Sequence, residues 1–81
     1  MYIYFLKEEM MCHPETGHCY ISYGVGVYTQ QHGKKYGIKY LSDVFLRRKK
    51  AEKFVDKCNR LQLHPIHLEN VIEDILCQGK I

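Results

Sequence analysis

Residues 6–27, "LKEEMMCHPETGHCYISYGVGV", decide the fold. Runs rich in Tyr, Ile, Val and Met lie on either side of Pro14-Glu15-Thr16-Gly17. A four-residue loop ending in Gly is a common hairpin connection, so the stretch predicts two antiparallel strands, residues 2–12 and 19–29. Pairing Cys12 with Cys19 places Met10 opposite Ile21, Leu6 opposite Val25 and Tyr4 opposite Val27. Side chains alternate between the faces of a strand. Tyr4, Leu6, Met10 and Cys12 therefore share a side with Cys19, Ile21, Tyr23, Val25 and Val27, and apart from Glu8 that side is apolar. It is the expected core face. The other side carries Lys7, Glu9, Tyr20, Ser22, Gly24, Gly26 and Tyr28, a mixture suited to solvent or a partner.

Working outward, "QQHGKK" supplies a second turn and "YGIKYLSDVF" a third strand from about Tyr36 to Phe45. The period then changes from two to helical. Between Arg47 and Gln62, Ala51, Phe54, Val55, Cys58 and Leu61 fall within an arc of about 120° at 100° per residue. "LHP" ends this helix, and Pro65 suits the first position of a second one, where its missing N–H is no loss. Leu68, Val71, Ile72, Ile75 and Leu76 form the second apolar stripe, with Gly79 at the expected C′ position. The prediction is a single α+β domain over residues 1–81, ordered β-β-β-α-α: a three-stranded antiparallel meander with one face under two amphipathic helices.

With 81 residues the chain can build only a small core. Such a core supplies roughly 3 to 5 kcal/mol without a staple. Open edges on a three-stranded sheet invite pairing with a second copy or a partner. A net charge of +3 is too small by itself to imply nucleic acid or an anionic membrane. The N-terminal apolar run stops at Lys7, and no segment reaches the ~18 apolar residues of a spanning helix. The expectation is a cytoplasmic protein without membrane contact, whose cysteines stay reduced.

Three clusters raise the question of chemistry. Cys12, His13, His18 and Cys19 read Cys-His-x4-His-Cys, and zinc favours such ligands. A regular hairpin, however, points the two cysteines to one face and the two histidines to the other. A disulfide is sterically allowed between directly opposed residues, but the expected compartment favours thiols acting as small apolar groups at the end of the core. His64 and His67 flank Pro65 as cap and first-turn residues. The first helix carries Lys49, Lys50, Lys53, Lys57 and Arg60 within about 100°, opposite its apolar stripe. Arg47 to Lys50 also occupy the helix start, the end at which the dipole disfavours cations. That pattern offers a surface for phosphate or nucleic acid, weighed against ordinary solvation of a helix face.

The segment "NRLQLHPIHLENVIEDIL", residues 59–76, resembles the end of a small uncharacterised bacterial protein family that closes on an Asn, then Pro-x-His, then Val-Ile-Glu-Asp. "YGVGV" or "YGIKY", followed by "SDV", resembles that family's strand leading into its first helix. By position the resemblance marks Asn59, Pro65, His67, Glu73 and Asp74. It departs at the first helix start, where a Ser or Thr cap followed by an acid is expected and Phe45-Leu46-Arg47 stands. The resemblance implies a compact bacterial domain and no particular mechanism.

No nucleophile with a base and an orienting acid is legible, and no phosphate loop. The expectation is a non-catalytic module without cofactor. It would bind a protein partner, or itself as a homodimer, through a sheet edge or the face marked by Tyr20, Gly24, Gly26 and Tyr28. Nucleic-acid binding through the basic helix ranks second, and a zinc-stabilised hairpin third.

Overall fold

The computed structural model describes residues 1–77, with side chains through Ile75. Strands β1 (Tyr2–Cys12), β2 (Cys19–Gln31) and β3 (Lys34–Phe45) form one antiparallel sheet in the order β1-β2-β3. Helix α1 (Arg48–Leu61), a 3-10 turn (Pro65–His67) and helix α2 (Leu68–Cys77) follow. This is the expected β-β-β-α-α arrangement. The β1–β2 register is also as expected, from Tyr4↔Val27 through Leu6↔Val25 and Met10↔Ile21 to Cys12↔Cys19.

Three boundaries differ from expectation. β2 and β3 run on to Gln31 and back to Lys34, leaving only His32 and Gly33 as a turn, both at positive φ (51° and 77°). Two left-handed residues are what a tight hairpin matched to strand twist requires. Pro65 opens a 3-10 turn instead of the second α-helix, and His64 Nδ1 accepts the Ile66 N–H at 3.2 Å. α1 ends at Leu61, with Gln62 left-handed (φ 51°) and its N–H bonded to the Cys58 carbonyl. The expected capping Gly79, and the Leu76 side chain in the second stripe, lie outside the described residues.

The core joins Tyr4, Tyr23, Val25, Val27 and Phe45 of the sheet to Ala51, Phe54, Val55 and Cys58 of α1 and to Leu68 and Ile72 of α2. It is shorter than the apolar face of the hairpin. Met10 is 71% exposed and Ile21 48%, and both Cys12 and Cys19 are exposed. Element lengths explain the correction. At about 3.3 Å per residue, strands of 11 to 13 residues run roughly 36 to 43 Å. At 1.5 Å per residue, the 14-residue α1 covers about 21 Å. The sheet outruns its helices, and the Cys12–Cys19 end projects beyond them.

α1 is fastened to the outer edge of β1 by two side-chain amides. Asn59 Oδ1 accepts the Tyr4 N–H at 2.7 Å while its Nδ2 donates to the Tyr4 carbonyl at 3.0 Å. Gln62 repeats this at Tyr2, accepting at 3.0 Å and donating at 3.1 Å. Each amide offers an acceptor and a donor spaced like a peptide group, so the pair substitutes for a neighbouring strand. The Tyr4 hydroxyl also donates to the Leu63 carbonyl. Lys39 on β3 reaches Glu69 at 2.7 Å, tying α2 to the opposite strand.

Candidate interaction face

Both helices pack on one side of the sheet, and the other side is organised by its glycines. On β1, Ile3, Phe5, Lys7 and Glu9 point outward; on β2, Tyr20, Ser22, Gly24, Gly26 and Tyr28; on β3, Tyr40, which pairs with Gly26. Gly24 and Gly26 are buried, because the chain's own side chains lie across them. A Cβ at Gly26 would come within 2.2 Å of the Phe5 ring, and one at Gly24 within 2.1 Å of the Tyr40 hydroxyl. Gly24 and Gly26, expected to mark a partner face, are themselves covered by Tyr40 and Phe5. Missing Cβ atoms in the central strand let rings from the flanking strands lie down over it.

The outcome is an aromatic row. Phe5 lies parallel to Tyr40 (centroids 6.2 Å, planes 17° apart) and tilted against Tyr28 (5.9 Å, 48°). Lys35 Nζ sits 5.2 Å from the Tyr28 ring centre, within range of a cation–π contact. Phe5 and Tyr40 remain 36% and 40% exposed, and Ile38 beside them 43%. Together with Lys35 and Gly37 they border an open concavity of about 730 Å³. Phe5 and Tyr40 were legible only in part. Phe5 shares its parity with Lys7 and Glu9, and the expected register already sets it opposite Gly26, but that pairing alone does not show the ring lying over the glycine.

A polar network closes the other end of this face. Gly24 also lets Glu9 reach from β1 across β2 to β3. Its carboxylate accepts from Ser42 Oγ (3.0 and 3.2 Å) and from the Asp43 N–H (3.3 Å), and Tyr40 bonds to it as well. Asp43, at positive φ (55°) in a β-bulge, turns its carboxylate back toward β2. There it accepts from Tyr20 Oη at 2.8 Å and contacts the buried Ser22 Oγ at 2.5 Å. Desolvation pushes the Glu9 carboxyl up, but hydrogen bonds from Asp43, Ser42 and Tyr40, with Lys7 nearby, outweigh it and hold it below its ordinary value. Tyr40 is raised to about 12 by desolvation and by Glu9.

The other sequence candidates fall apart in space. Cys12 and Cys19 form a disulfide, correcting the expectation of free thiols. Sulfurs bonded to each other are not thiolate ligands for zinc, and among the described residues no three His, Cys, Asp or Glu side chains converge on a metal position. Lys49, Lys53 and Lys57 are exposed on the outside of α1, while Arg60 lies 3.9 Å from Asp56. The helix starts on Arg47 with no side-chain cap and no acid in its first turn. Of the residues marked by resemblance, Asn59 is the β1 clamp and Pro65 is buried. His67, Glu73 and Asp74 are exposed, with His67 edge-on to His64 at 6.3 Å.

No helix among the described residues is long and apolar enough to cross a membrane. No curated protein and no solved structure matches the chain. A model of a family of unknown function, DUF6514, does match, over residues 1–78, and the chain belongs to that family.

Proposed function

We propose that this domain is a non-catalytic interaction module of the cytoplasm that binds a protein partner across the outer face of its sheet. The observation that carries the reading is the aromatic row Phe5, Tyr28 and Tyr40, whose exposed Phe5 and Tyr40 rings lie over Gly26 and Gly24. Aromatic side chains that are already ordered lose little entropy on binding and dominate the centres of protein interfaces. The face is favoured over the first half of the β1 edge, because Asn59 and Gln62 already bond the backbone there. A photo-crosslinking side chain at position 28, with position 73 on α2 as control, tests the reading in cells. The expected result is a discrete adduct from position 28 alone, lost in folded Phe5→Ser and Tyr40→Ser variants. An adduct that survives both variants, or that forms equally from position 73, refutes it.

A second reading rests on the exposure of Lys49, Lys53 and Lys57 on one side of α1. It assigns that side, with Lys50 and Arg60, to nucleic acid. Binding through these cations would weaken steeply with salt. Anisotropy of a labelled single strand that is unaffected by reversing Lys53 and Lys57 removes this alternative.

A further inference from the structure

The two ends of the sheet differ in what would follow if a bond there opened. At one end the Asn59 and Gln62 clamps and the core hold β1 in place. At the other, Cys12 and Cys19 occupy the last ladder position, outside the core and exposed, with the exposed pair Met10 and Ile21 as their neighbours on the same face. Cys58, on α1, is by contrast buried under the sheet. We propose that Cys12–Cys19 is a thiol–disulfide exchange site, opened by a dithiol and closed by an oxidised dithiol while the core stays folded.

Access and register both support this. A thiolate must approach along the line of the S–S bond, and among the described residues no helix covers the projecting hairpin end. The Cys12 N–H and C=O point away from β2, because they share parity with Tyr2 and Tyr4, whose backbone groups face Asn59 and Gln62. Opening the disulfide therefore breaks no ladder hydrogen bond. The turn keeps its own, His13 N–H to the His18 carbonyl at 2.7 Å and Gly17 N–H to the His13 carbonyl at 2.9 Å. Strands held in register keep the two thiols opposed, at a high effective concentration for closing again.

The step balances as exchange. One thiolate of the dithiol attacks Cys12 or Cys19 Sγ, the S–S bond breaks, and the electron pair leaves on the other sulfur, which takes up a proton. The second thiol of the reductant then attacks the mixed disulfide. It releases the protein dithiol and leaves the reductant as a cyclic disulfide. Reactivity follows thiolate character and exposure. Cys58 lacks both, since burial raises its thiol to about 11.

The test treats folded protein with dithiothreitol, alkylates it at timed intervals, and scores each cysteine separately by peptide mapping. The expected result is modification of Cys12 and Cys19 at least about tenfold faster than Cys58, at a rate that low urea leaves unchanged, with the far-ultraviolet circular dichroism retained. Oxidised dithiothreitol should then restore the bond within one chain. If Cys12, Cys19 and Cys58 react together, or the pair reacts only when urea unfolds the core, the proposal is overturned. It is equally overturned if the reduced pair fails to close again. A Cys12→Ser variant gives a second reading, since its Cys19 thiol should be modified at once without reductant. Should that variant not fold, the wild-type time course decides alone.

Discussion

Removing the Asn59 amide tests how the helix layer is held to the sheet. Asn59→Ala deletes both bonds to the Tyr4 backbone, the 2.7 Å acceptor and the 3.0 Å donor. Each such bond contributes about 1 kcal/mol net, so the pair accounts for about 2 kcal/mol. Alanine has the better helix propensity by about 0.6 kcal/mol, which leaves a net loss of about 1.5 kcal/mol. Set against a core that supplies roughly 3 to 5 kcal/mol, this is a large fraction. Urea unfolding followed by circular dichroism reads it directly. With a slope of about 1 kcal/mol per molar urea, the midpoint should fall by about 1.5 M at unchanged slope. Asn59→Asp separates the hydrogen bonds from the packing. It has nearly the same shape and keeps the acceptor for the Tyr4 N–H, but it sets a carboxylate against the Tyr4 carbonyl. It should lose at least as much as the alanine variant. An Asn59→Ala midpoint within about 0.5 M of wild type, or an unaffected Asn59→Asp, would refute the clamp.

Gly26→Ala should cost about 1 to 2 kcal/mol, because its Cβ would meet the Phe5 ring at 2.2 Å and force the ring off the sheet; thermal unfolding would show it, and a neutral result would remove the close-packed floor from the reading. Above neutrality, Tyr4 is raised to about 12 by burial and by nearby Cys58 and Tyr2, and Cys58 to about 11 by burial. Groups with raised folded values contribute stability that is full below their unfolded values, about pH 8.5 for Cys and 10 for Tyr, and is lost as pH rises through the folded ones. Unfolding free energy should therefore decline across this alkaline window, with Tyr4 and Tyr40 ionising last by phenolate absorbance. In acid, the depressed Glu9 contributes stability that is present above its unfolded value of about 4.3 and lost as pH falls through the folded one; Glu9→Gln should flatten that limb of the stability curve. Joint Cys12→Ser and Cys19→Ser replacement should lower stability by about 2.5 kcal/mol, the loop-closure entropy of a bridge spanning seven residues. A midpoint equal to that of the oxidised protein would contradict this.

The hairpin was legible because its information is local. Pro14 to Gly17 set the turn, and the alternation on either side left one register in which apolar residues face each other, the register observed. The helical stripe of α1 was legible for the same reason: Ala51, Phe54, Val55 and Cys58 recur at helical spacing, and all four are buried. Leu61, in the same stripe but at the last position of the helix, is 68% exposed. The beginning of β3 was harder to read. Lys34 and Lys35 carry no burial signal and become strand only by pairing with Gln31 and Gln30 across a two-residue turn.

The partner face shows the limit from the other direction. Gly24 and Gly26 read as part of a face suited to solvent or a partner, since a sequence shows that a side chain is missing but not what moves in over it. Glu9, Tyr40 and Asp43 meet above Gly24 from strands up to 34 residues apart in the chain. The Asn59 and Gln62 amides likewise act across separations of 55 and 60 residues.

Sequence alone determined the order of the elements, the β1–β2 register and the faces that seek burial, because each follows from a period of two or 3.6 residues and from turn chemistry. Tertiary structure decided where burial ends, what covers the central glycines and which edge is capped. Those outcomes depend on the relative lengths of packed layers and on side chains arriving from distant segments. Met10 and Ile21 have the pattern of core residues and are left in solvent only because α1 is shorter than the strands beneath it.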